Sequence, residues 1–310
     1  MGPHVAARLR SANVEVVLFN RRGASDGGVP VIKGDRREPG ALRKAFANFR
    51  PDVAIDMIPF TIEDAHCLVE ASRVCSSALV AISSMDVYLA YGRLHRTEVG
   101  PIIEGPISES APLRTKLGRD GSEYDKLGVE RVLIQSCETP LSILRLPMIY
   151  GPPDMRRVGE YVKRVCDGRL RIPISASYAH WRTSRASSRN CAEAIPLCAL
   201  AGKPGLSVYN VAEERIYSQA EWIGKIGRIL DWKGKVIEVK DTRWPPPFGI
   251  DTRQEMIVDS SRIRAELGFR EIVEPEEALK EAVCWARDEL DSGRRQEDVD
   301  YLKEDAILNR

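Results

Sequence analysis

The chain lacks the features that would indicate a membrane, metal or disulfide-bonded protein. No apolar run approaches the roughly 20 residues that span a bilayer, and the first ten residues contain no signal-peptide apolar region. The seven cysteines are scattered and none forms a Cys-x-x-Cys pair, so the sequence predicts neither a metal site nor a disulfide framework. We therefore expect a cytoplasmic protein whose cysteines are small core residues.

Neither sign of charge is in excess. The chain has 46 Lys and Arg against 45 Asp and Glu, which gives a formal net charge of +1. A nearly neutral protein has no global field that would recruit nucleic acid or an anionic membrane, so we expect a small-molecule substrate. With 43% hydrophobic and 29% charged residues, the 310-residue chain is ordinary globular protein and can form one large or two modest domains.

Short apolar runs alternate with amphipathic segments in the first half of the chain. The predicted strands are 14–19, 31–32, 52–58, 78–82 and 141–146, and the predicted helices between them are 39–49, 62–75 and 122–137. This alternation predicts an α/β protein with a Rossmann-like, doubly wound parallel sheet in residues 1–150, to which 190–212 return. We expect a smaller α/β domain from 151–189 and 213–290, followed by a charged, solvated tail at 291–310.

One stretch, from Ala78 to Tyr88, organises the prediction of a site. Its apolar run leads to Ser83 and Ser84 at the carboxyl end of a buried strand, where open parallel sheets bind their ligands. Serine hydroxyls there can bind a substrate oxygen, or they can simply cap the strand. The long polar connection at 91–121 is typical of a lid or a site wall.

An ordered set of motifs carries a family resemblance. The motifs are ISSMDVY at 82–88, a helix with Lys126 and Glu130, LRLPMIYGP at 144–152, VYNVA at 208–212 and DSSRIRAELGF at 259–269. In this order they resemble the extended short-chain dehydrogenase/reductase family, the NAD(P)-dependent nucleotide-sugar epimerases and dehydratases. The resemblance implies a Rossmann domain, a small C-terminal substrate domain, and catalysis by a Ser or Thr, a Tyr and a Lys.

The resemblance places two of the three catalytic residues. Ser84 matches the Ser/Thr, and Lys126 matches the lysine by its spacing to Glu130. The family tyrosine lies four residues before the lysine, where this chain has Ser122. Residues i and i+4 share a helix face, so Ser122 and Lys126 should point into the site while Tyr124 faces elsewhere. Since a serine is too weak an acid, we expect weak or no activity unless Tyr88 or Tyr91 substitutes.

The chain also departs from the family at its start. It opens inside the helix that follows the glycine-rich loop, so Gly2 would be the last glycine and the first strand is absent. A gap of two strand spacings, about 9–10 Å, should then separate strands 14–19 and 52–58 and must close or be filled. Two explanations remain open, a mis-set or truncated start and a decayed paralogue, and the well-kept remainder favours the first.

The remaining predictions concern ligands. Asn20, Arg21 and Arg22 directly follow predicted strand 14–19 without an acidic residue, which favours NADP over NAD, although an ordinary basic turn is equally open. The predicted cofactor-binding residues are Gly2, Asn20, Arg21, Arg22, Asp35, Arg36, Ile58, Pro59 and Lys126. The predicted substrate-binding residues are Ser83, Ser84, Tyr88, Tyr150, Arg182 and Arg185. Arginine suits phosphate recognition, although a solvated or ion-pair role is open for both arginines. No metal ligand is predicted.

Three functions compete at this point. The first is an NAD(P)-dependent epimerase or reductase, an isomerase or oxidoreductase acting on a nucleotide-sugar-like or other hydroxyl or carbonyl substrate. The second is a non-catalytic Rossmann-fold binding or regulatory protein, which the serine at position 122 favours. The third is RNA binding, which the near-zero charge and the lack of an aromatic and basic platform disfavour. A homodimer through helices 62–75 and 122–137 is expected by resemblance.

Overall fold

The structure is a computed structural model that describes residues 1–75, 77–117 and 121–309. The helices are α1 (Gly2–Ser11), α2 (Ala41–Phe49), α3 (Ile62–Ser72), α4 (Leu89–Leu94), α5 (Lys126–Ser136), α6 (Gly159–Cys166), α7 (Ala176–His180), α8 (Ser188–Ala201), α9 (Gln219–Ile229), α10 (Ser261–Leu267), α11 (Pro275–Asp291) and α12 (Tyr301–Leu308). The strands are β1 (Leu18–Asn20), β2 (Val31–Lys33), β3 (Val53–Asp56), β4 (Ala78–Ser84), β5 (Leu141–Leu146), β6 (Met148–Tyr150), β7 (Arg171–Ser175), β8 (Arg182–Thr183), β9 (Arg185–Ser187), β10 (Leu206–Asn210), β11 (Tyr217–Ser218) and β12 (Lys235–Val239). In these ranges no helix is both long and apolar enough to span a bilayer.

Four parallel strands form the central sheet, in the order β10-β5-β4-β3. Alternate residues of β4 pack against opposite layers of helices. Val80 and Ile82 join the core under α1 and α8, whereas Leu79 and Ala81 join the core under α3 and α5. A parallel sheet covered on both faces is the doubly wound α/β architecture that the sequence predicts, and the prediction is confirmed.

Strands β1 and β2 pair in parallel as a separate two-stranded sheet. Strand β1 covers only Leu18–Asn20, although the sequence predicts a buried strand over 14–19. The residues of 14–17 are half-buried or exposed and line a cavity between the two sheets. The strand is shorter than predicted because its second edge faces this cavity rather than a neighbouring strand.

A second hydrophobic core lies C-terminal to β6. Tyr150, Val162, Ile174, Trp222 and Val283 are buried in it, and they come from β6, α6, β7, α9 and α11. This core supports the smaller α/β unit, although the domain boundaries remain a prediction.

The charged segment at 291–310 ends in a packed helix rather than remaining solvated throughout. In α12 the carboxylate of Glu304 is buried and accepts a hydrogen bond from Arg164 Nε at 2.7 Å. The helix therefore docks on the smaller core through a buried ion pair.

Candidate active site

The site is built at the carboxyl end of β4. The strand ends at Ser84, and a 3₁₀ turn over Met85–Val87 follows. The Asp86 N–H donates to Ser84 Oγ at 3.4 Å, which holds the turn. Asp86 is only 9% exposed, and its Oδ1 has no hydrogen-bond partner among the described residues. Burial raises the pKa of Asp86 above its ordinary value, against the opposing effects of Ser84, Arg114 and Lys126.

The helix predicted over 122–137 begins at Lys126. Gly121–Tyr124 forms a separate 3₁₀ turn, and Asp125 is the N-cap, whose side chain accepts from Gly128 N at 3.0 Å. Asp125 has non-helical dihedral angles (φ −116°, ψ 74°), so helical periodicity does not extend back across it. The prediction that Ser122 and Lys126 share a helix face is therefore wrong, and Ser122 is exposed.

Tyr124 lies in the site, although helical periodicity predicted that it would face elsewhere. Its ring centroid is 5.6 Å from that of Phe60 and 5.7 Å from Lys126 Nζ. Burial raises the pKa of Tyr124 above its ordinary range, and the charge of Asp86 raises it further, whereas hydrogen bonding to Ser84 opposes both. The phenol is thus a neutral, proton-bearing group that interacts with both a hydroxyl and a buried carboxyl. An aspartate that can cap a helix directly after the tyrosine is the sequence signal that the prediction missed.

Lys126 forms the base of the site. Its ammonium donates to the carbonyl oxygens of Pro59 and Ile82, each at 2.8 Å, and lies 4.8 Å from the Phe60 ring centroid. Burial lowers the pKa of Lys126 to about 8, while the carboxylates of Asp56 and Asp86 oppose the shift. An ammonium has three donors, so two are held by backbone and one remains.

Ser83 and Tyr88, which were predicted to bind substrate, belong instead to a buried polar network. The Ser83 hydroxyl donates to Glu130 Oε1, and Arg145 donates to both Glu130 oxygens at 3.0 and 2.7 Å. The Tyr88 hydroxyl donates to Asn210 Oδ1 at 2.6 Å and accepts from Arg145 at 3.0 Å. The network joins β4, β5, β10 and α5, so these two side chains stabilise the elements around the site rather than facing a ligand.

Three further predicted substrate residues lie in the smaller unit. The Tyr150 hydroxyl donates to the Glu213 carboxylate at 3.1 Å and is buried. Arg185 is also buried and donates to Gln219 Oε1 at 2.7 Å. Both are satisfied within the protein, so the structure does not bring them into an open site. Arg182 is exposed on β8.

Two arginines that the sequence analysis did not select lie close to the site. The guanidinium of Arg156 donates to Asp154 at 2.9 and 2.6 Å, which raises the pKa of Arg156, and the Tyr124 phenol adds to this shift. Burial lowers the pKa of Arg157, and its Nε has no hydrogen-bond partner among the described residues. The paired arginines, separated from the Gly-Pro-Pro turn by two residues, were the available signal.

A cavity of about 930 Å³ lies beside the site, between β1 and β3. Its lining includes all the predicted cofactor-binding residues except Pro59 and Lys126, namely Gly2, Asn20, Arg21, Arg22, Asp35, Arg36 and Ile58. The sequence therefore identified residues that the structure brings together along one cavity.

These residues are not equally available to a ligand. Arg36 is held by Asp56 at 2.8 Å and by Asp64 at 3.0 Å, and the Asn20 side chain accepts from Gly23 N at 2.9 Å within its own turn. Arg21 has a side chain that is 76% exposed, and Arg22 is also exposed. The exposed arginines could contact an anion, whereas Arg36 and Asn20 shape the edge of the cavity. No three His, Cys, Asp or Glu residues in the described ranges form a candidate metal site.

No protein-family model and no curated protein sequence matches the chain. Solved structures do match. A UDP-glucose 4-epimerase from Thermus thermophilus in complex with NAD superposes with a TM-score of 0.68 and 22% identity, over 92% of this chain and 95% of that chain. A UDP-glucose 4-epimerase from Thermotoga maritima with UDP-glucose gives 0.70 and 16%, over 93% and 96%. A dTDP-glucose 4,6-dehydratase from Bacillus anthracis with NAD gives 0.70 and 16%, over 93% of each chain.

These neighbours define the class of fold. The chain has the Rossmann-type α/β fold of nucleotide-sugar epimerases and dehydratases, with a parallel sheet and a smaller second unit. At the level of fold, this confirms the resemblance to the extended short-chain dehydrogenase/reductase family.

Proposed function

We propose that the chain binds a nicotinamide dinucleotide and acts, with low turnover, on a nucleotide-sugar-like or other hydroxyl or carbonyl substrate. The observation that carries this proposal is the grouping of Ser84, Asp86, Tyr124 and Lys126 at the carboxyl end of β4. The adjoining cavity is lined by the predicted cofactor residues. The neighbours bound to NAD or UDP-glucose support the substrate class.

In this proposal Tyr124 takes the role that the sequence analysis gave to Ser122. Its phenol exchanges a proton with the substrate oxygen, and the Ser84 hydroxyl orients that oxygen. Asp86 has an uncommitted carboxyl oxygen that can share the proton, because burial keeps its pKa raised. The Lys126 ammonium, 5.7 Å from the ring, favours the phenolate form.

The cofactor fits the described residues in part. Gly2 and the amino end of α1 would lie near the phosphates, while the exposed Arg21 and Arg22 suit a 2′-phosphate. Ile58, which is 55% exposed, would line the path to Tyr124. When bound, the nicotinamide supplies a hydride donor or acceptor. The turn directly after β1 contains Asn20, Arg21 and Arg22 and no acidic residue, which supports NADP over NAD.

The test is a single-turnover experiment with the purified chain, UDP-glucose as the probe substrate, and oxidised NADP or NAD. We expect slow formation of enzyme-bound reduced coenzyme, detected by its fluorescence. The Tyr124→Phe variant should lower the rate by about 10²–10⁴-fold, the usual contribution of proton transfer, and the matched Ser122→Ala variant should leave it unchanged. A reversed pattern would restore Ser122 to the role predicted from sequence.

One observation favours a second function, non-catalytic binding. The Lys126 ammonium is occupied by two backbone carbonyls, which leaves it less free to contact a ligand. If the folded chain binds the dinucleotide or UDP-glucose but forms no reduced coenzyme in any variant, the binding or regulatory role is the better account.

A further inference from the structure

Arg114 is a buried arginine to which the proposed chemistry gives no role. It lies in the polar connection at 91–121, and its side chain is only 2% exposed. Burying a guanidinium is costly unless its charge is paired and its donors find acceptors. The partners of Arg114 therefore indicate what this buried charge does.

The backbone at Arg114 is fixed beside the 3₁₀ turn that follows β4. Arg114 N donates to Val87 O at 2.9 Å, and Leu89 N donates to Pro112 O at 2.8 Å. An isolated antiparallel bridge lies between these two hydrogen bonds. The connection thus returns to the site as a short antiparallel pair, and Arg114 extends from a backbone that is anchored to the turn.

The Arg114 guanidinium joins two elements of the site. Its Nε donates to the Asp86 carbonyl oxygen at 2.8 Å, and its Nη2 lies 3.8 Å from Asp125 Oδ1. Its Nη1 donates to the carbonyl oxygen of Lys116, within its own segment. A guanidinium presents its donors in several directions from one rigid plane, whereas an ammonium is a single point charge. A lysine could therefore not reproduce both contacts at once.

The two partners of Arg114 flank the proposed proton-transfer groups. Asp86 lies in the turn directly after Ser84, and Asp125 follows Tyr124 and caps α5. The Tyr124 phenol interacts with the Ser84 hydroxyl and with the Asp86 carboxyl. The distance between phenol and hydroxyl thus depends on how the turn sits against the cap, and Arg114 connects the two.

The charge of Arg114 also acts on Asp86. Burial raises the pKa of Asp86, and the guanidinium opposes this effect together with Ser84, Lys126 and Tyr124. Loss of the guanidinium charge should therefore raise the pKa of Asp86 further.

We propose that Arg114 is a positioning residue: by holding the Asp86 turn against the cap of α5, it places the Tyr124 phenol beside the serine hydroxyl at the end of β4. Arg114 itself does not contact the substrate. The inference rests on the proposed function, in which Tyr124 exchanges the proton, but the position of Tyr124 can be measured without turnover.

The test compares Arg114→Met with Arg264→Met. Arg264 is also largely buried, with a side chain that is 11% exposed, and it donates to Ala212 O at 2.8 Å and to Glu271 at 2.6 Å. None of these three residues belongs to the site. The control variant thus removes a buried, paired arginine without changing the contacts of Tyr124.

The first readout is the NMR signal of Tyr124 in chain labelled with ¹³C at the tyrosine Cζ, assigned by its loss in Tyr124→Phe. Arg114→Met should shift this signal, and Arg264→Met should leave it at the position that it has in the unmodified chain. Arg114→Lys keeps the charge but loses the fork of donors, so it should shift the signal as well.

The second readout is the single-turnover reaction with UDP-glucose and oxidised NADP. Arg114→Met should lower the rate by about 10²-fold, the usual cost of misplacing a reacting group by about 1 Å, and it should leave the Kd for NADPH unchanged. The pH dependence of the rate should move to higher pH in Arg114→Met and stay in place in Arg114→Lys, which retains the charge near Asp86.

Two results would overturn the proposal. An unchanged Tyr124 signal in Arg114→Met would show that Arg114 does not position the phenol, and an equal shift in Arg264→Met would show a general loss of order. If Arg114→Met does not fold, an unchanged signal in Arg114→Lys would overturn the proposal instead. If the unmodified chain forms no reduced coenzyme, the proposed function fails, while the Tyr124 signal still decides whether Arg114 positions the phenol.

Discussion

The burial of Lys126 makes a quantitative prediction about stability. Its pKa falls from 10.5 to about 8 in the folded protein, while the unfolded chain keeps the ordinary value. Between these two values the unfolded state binds more protons, so stability rises as pH increases from about 8 to 10.5. At about 1.4 kcal/mol per pH unit, the full contribution is about 3 kcal/mol.

The Lys126→Met variant isolates this contribution. Its free energy of unfolding, minus that of the unmodified chain, should fall by about 3 kcal/mol as pH rises from 7 to 10.5, because only the unmodified chain gains stability from deprotonation. Urea unfolding at half-unit pH intervals measures the difference, and the titration of Cys and Tyr residues cancels in it. An exposed lysine changed in the same way, Lys303→Met, should give a flat difference. A flat difference for Lys126→Met as well would refute the reasoning, since it would mean that the ammonium is solvated.

Three further predictions concern the site and its support. Burial raises the pKa of Asp86, so the folded state keeps a proton that the unfolded state releases as pH rises. Asp86→Asn should therefore stabilise the chain at pH 7, and by less at pH 4, measured by urea unfolding. Arg157→Ala should weaken UDP binding about tenfold, measured by calorimetry, because the Arg157 Nε has no hydrogen-bond partner among the described residues. The control Arg131→Ala, on the outer face of α5, should bind UDP as the unmodified chain does. Equal UDP affinities of the two variants would show that Arg157 is not part of the site. Glu130→Gln should destabilise the chain by about 3–5 kcal/mol because it leaves the Arg145 charge buried and unpaired, and a Glu130→Leu, Arg145→Met double variant that lost as much would contradict this explanation.

The sequence predicted the elements whose patterns are local. The apolar run of β4 and the alternation of strands and helices predicted the parallel sheet, because buried strands and amphipathic helices have distinct periods. The same run placed Ser84 at the carboxyl end of β4.

The sequence could not predict features that depend on distant contacts. Ser83 and Tyr88 lie close to Ser84 in the sequence, but both side chains are buried. They are held there by hydrogen bonds to Glu130, Asn210 and Arg145, which belong to other elements. Nothing within the strand distinguishes the serine that faces the site from the serine that supports it.

Tyr124 shows a different limit. Its position depends on a change of helix type at Asp125, and a fixed helical period placed the residue on the wrong side. A single capping residue can thus change which side chains enter a site.

The most direct test of the proposed function is a titration of the purified chain 1–310 with NADPH and with NADH, in which binding is measured by the fluorescence of the reduced coenzyme. The account predicts saturable binding to the folded protein, tighter for NADPH because of Arg21 and Arg22, and weakened in the Arg21→Ala, Arg22→Ala double variant. Absence of saturable binding by a chain shown to be folded by circular dichroism would contradict the proposed dinucleotide site.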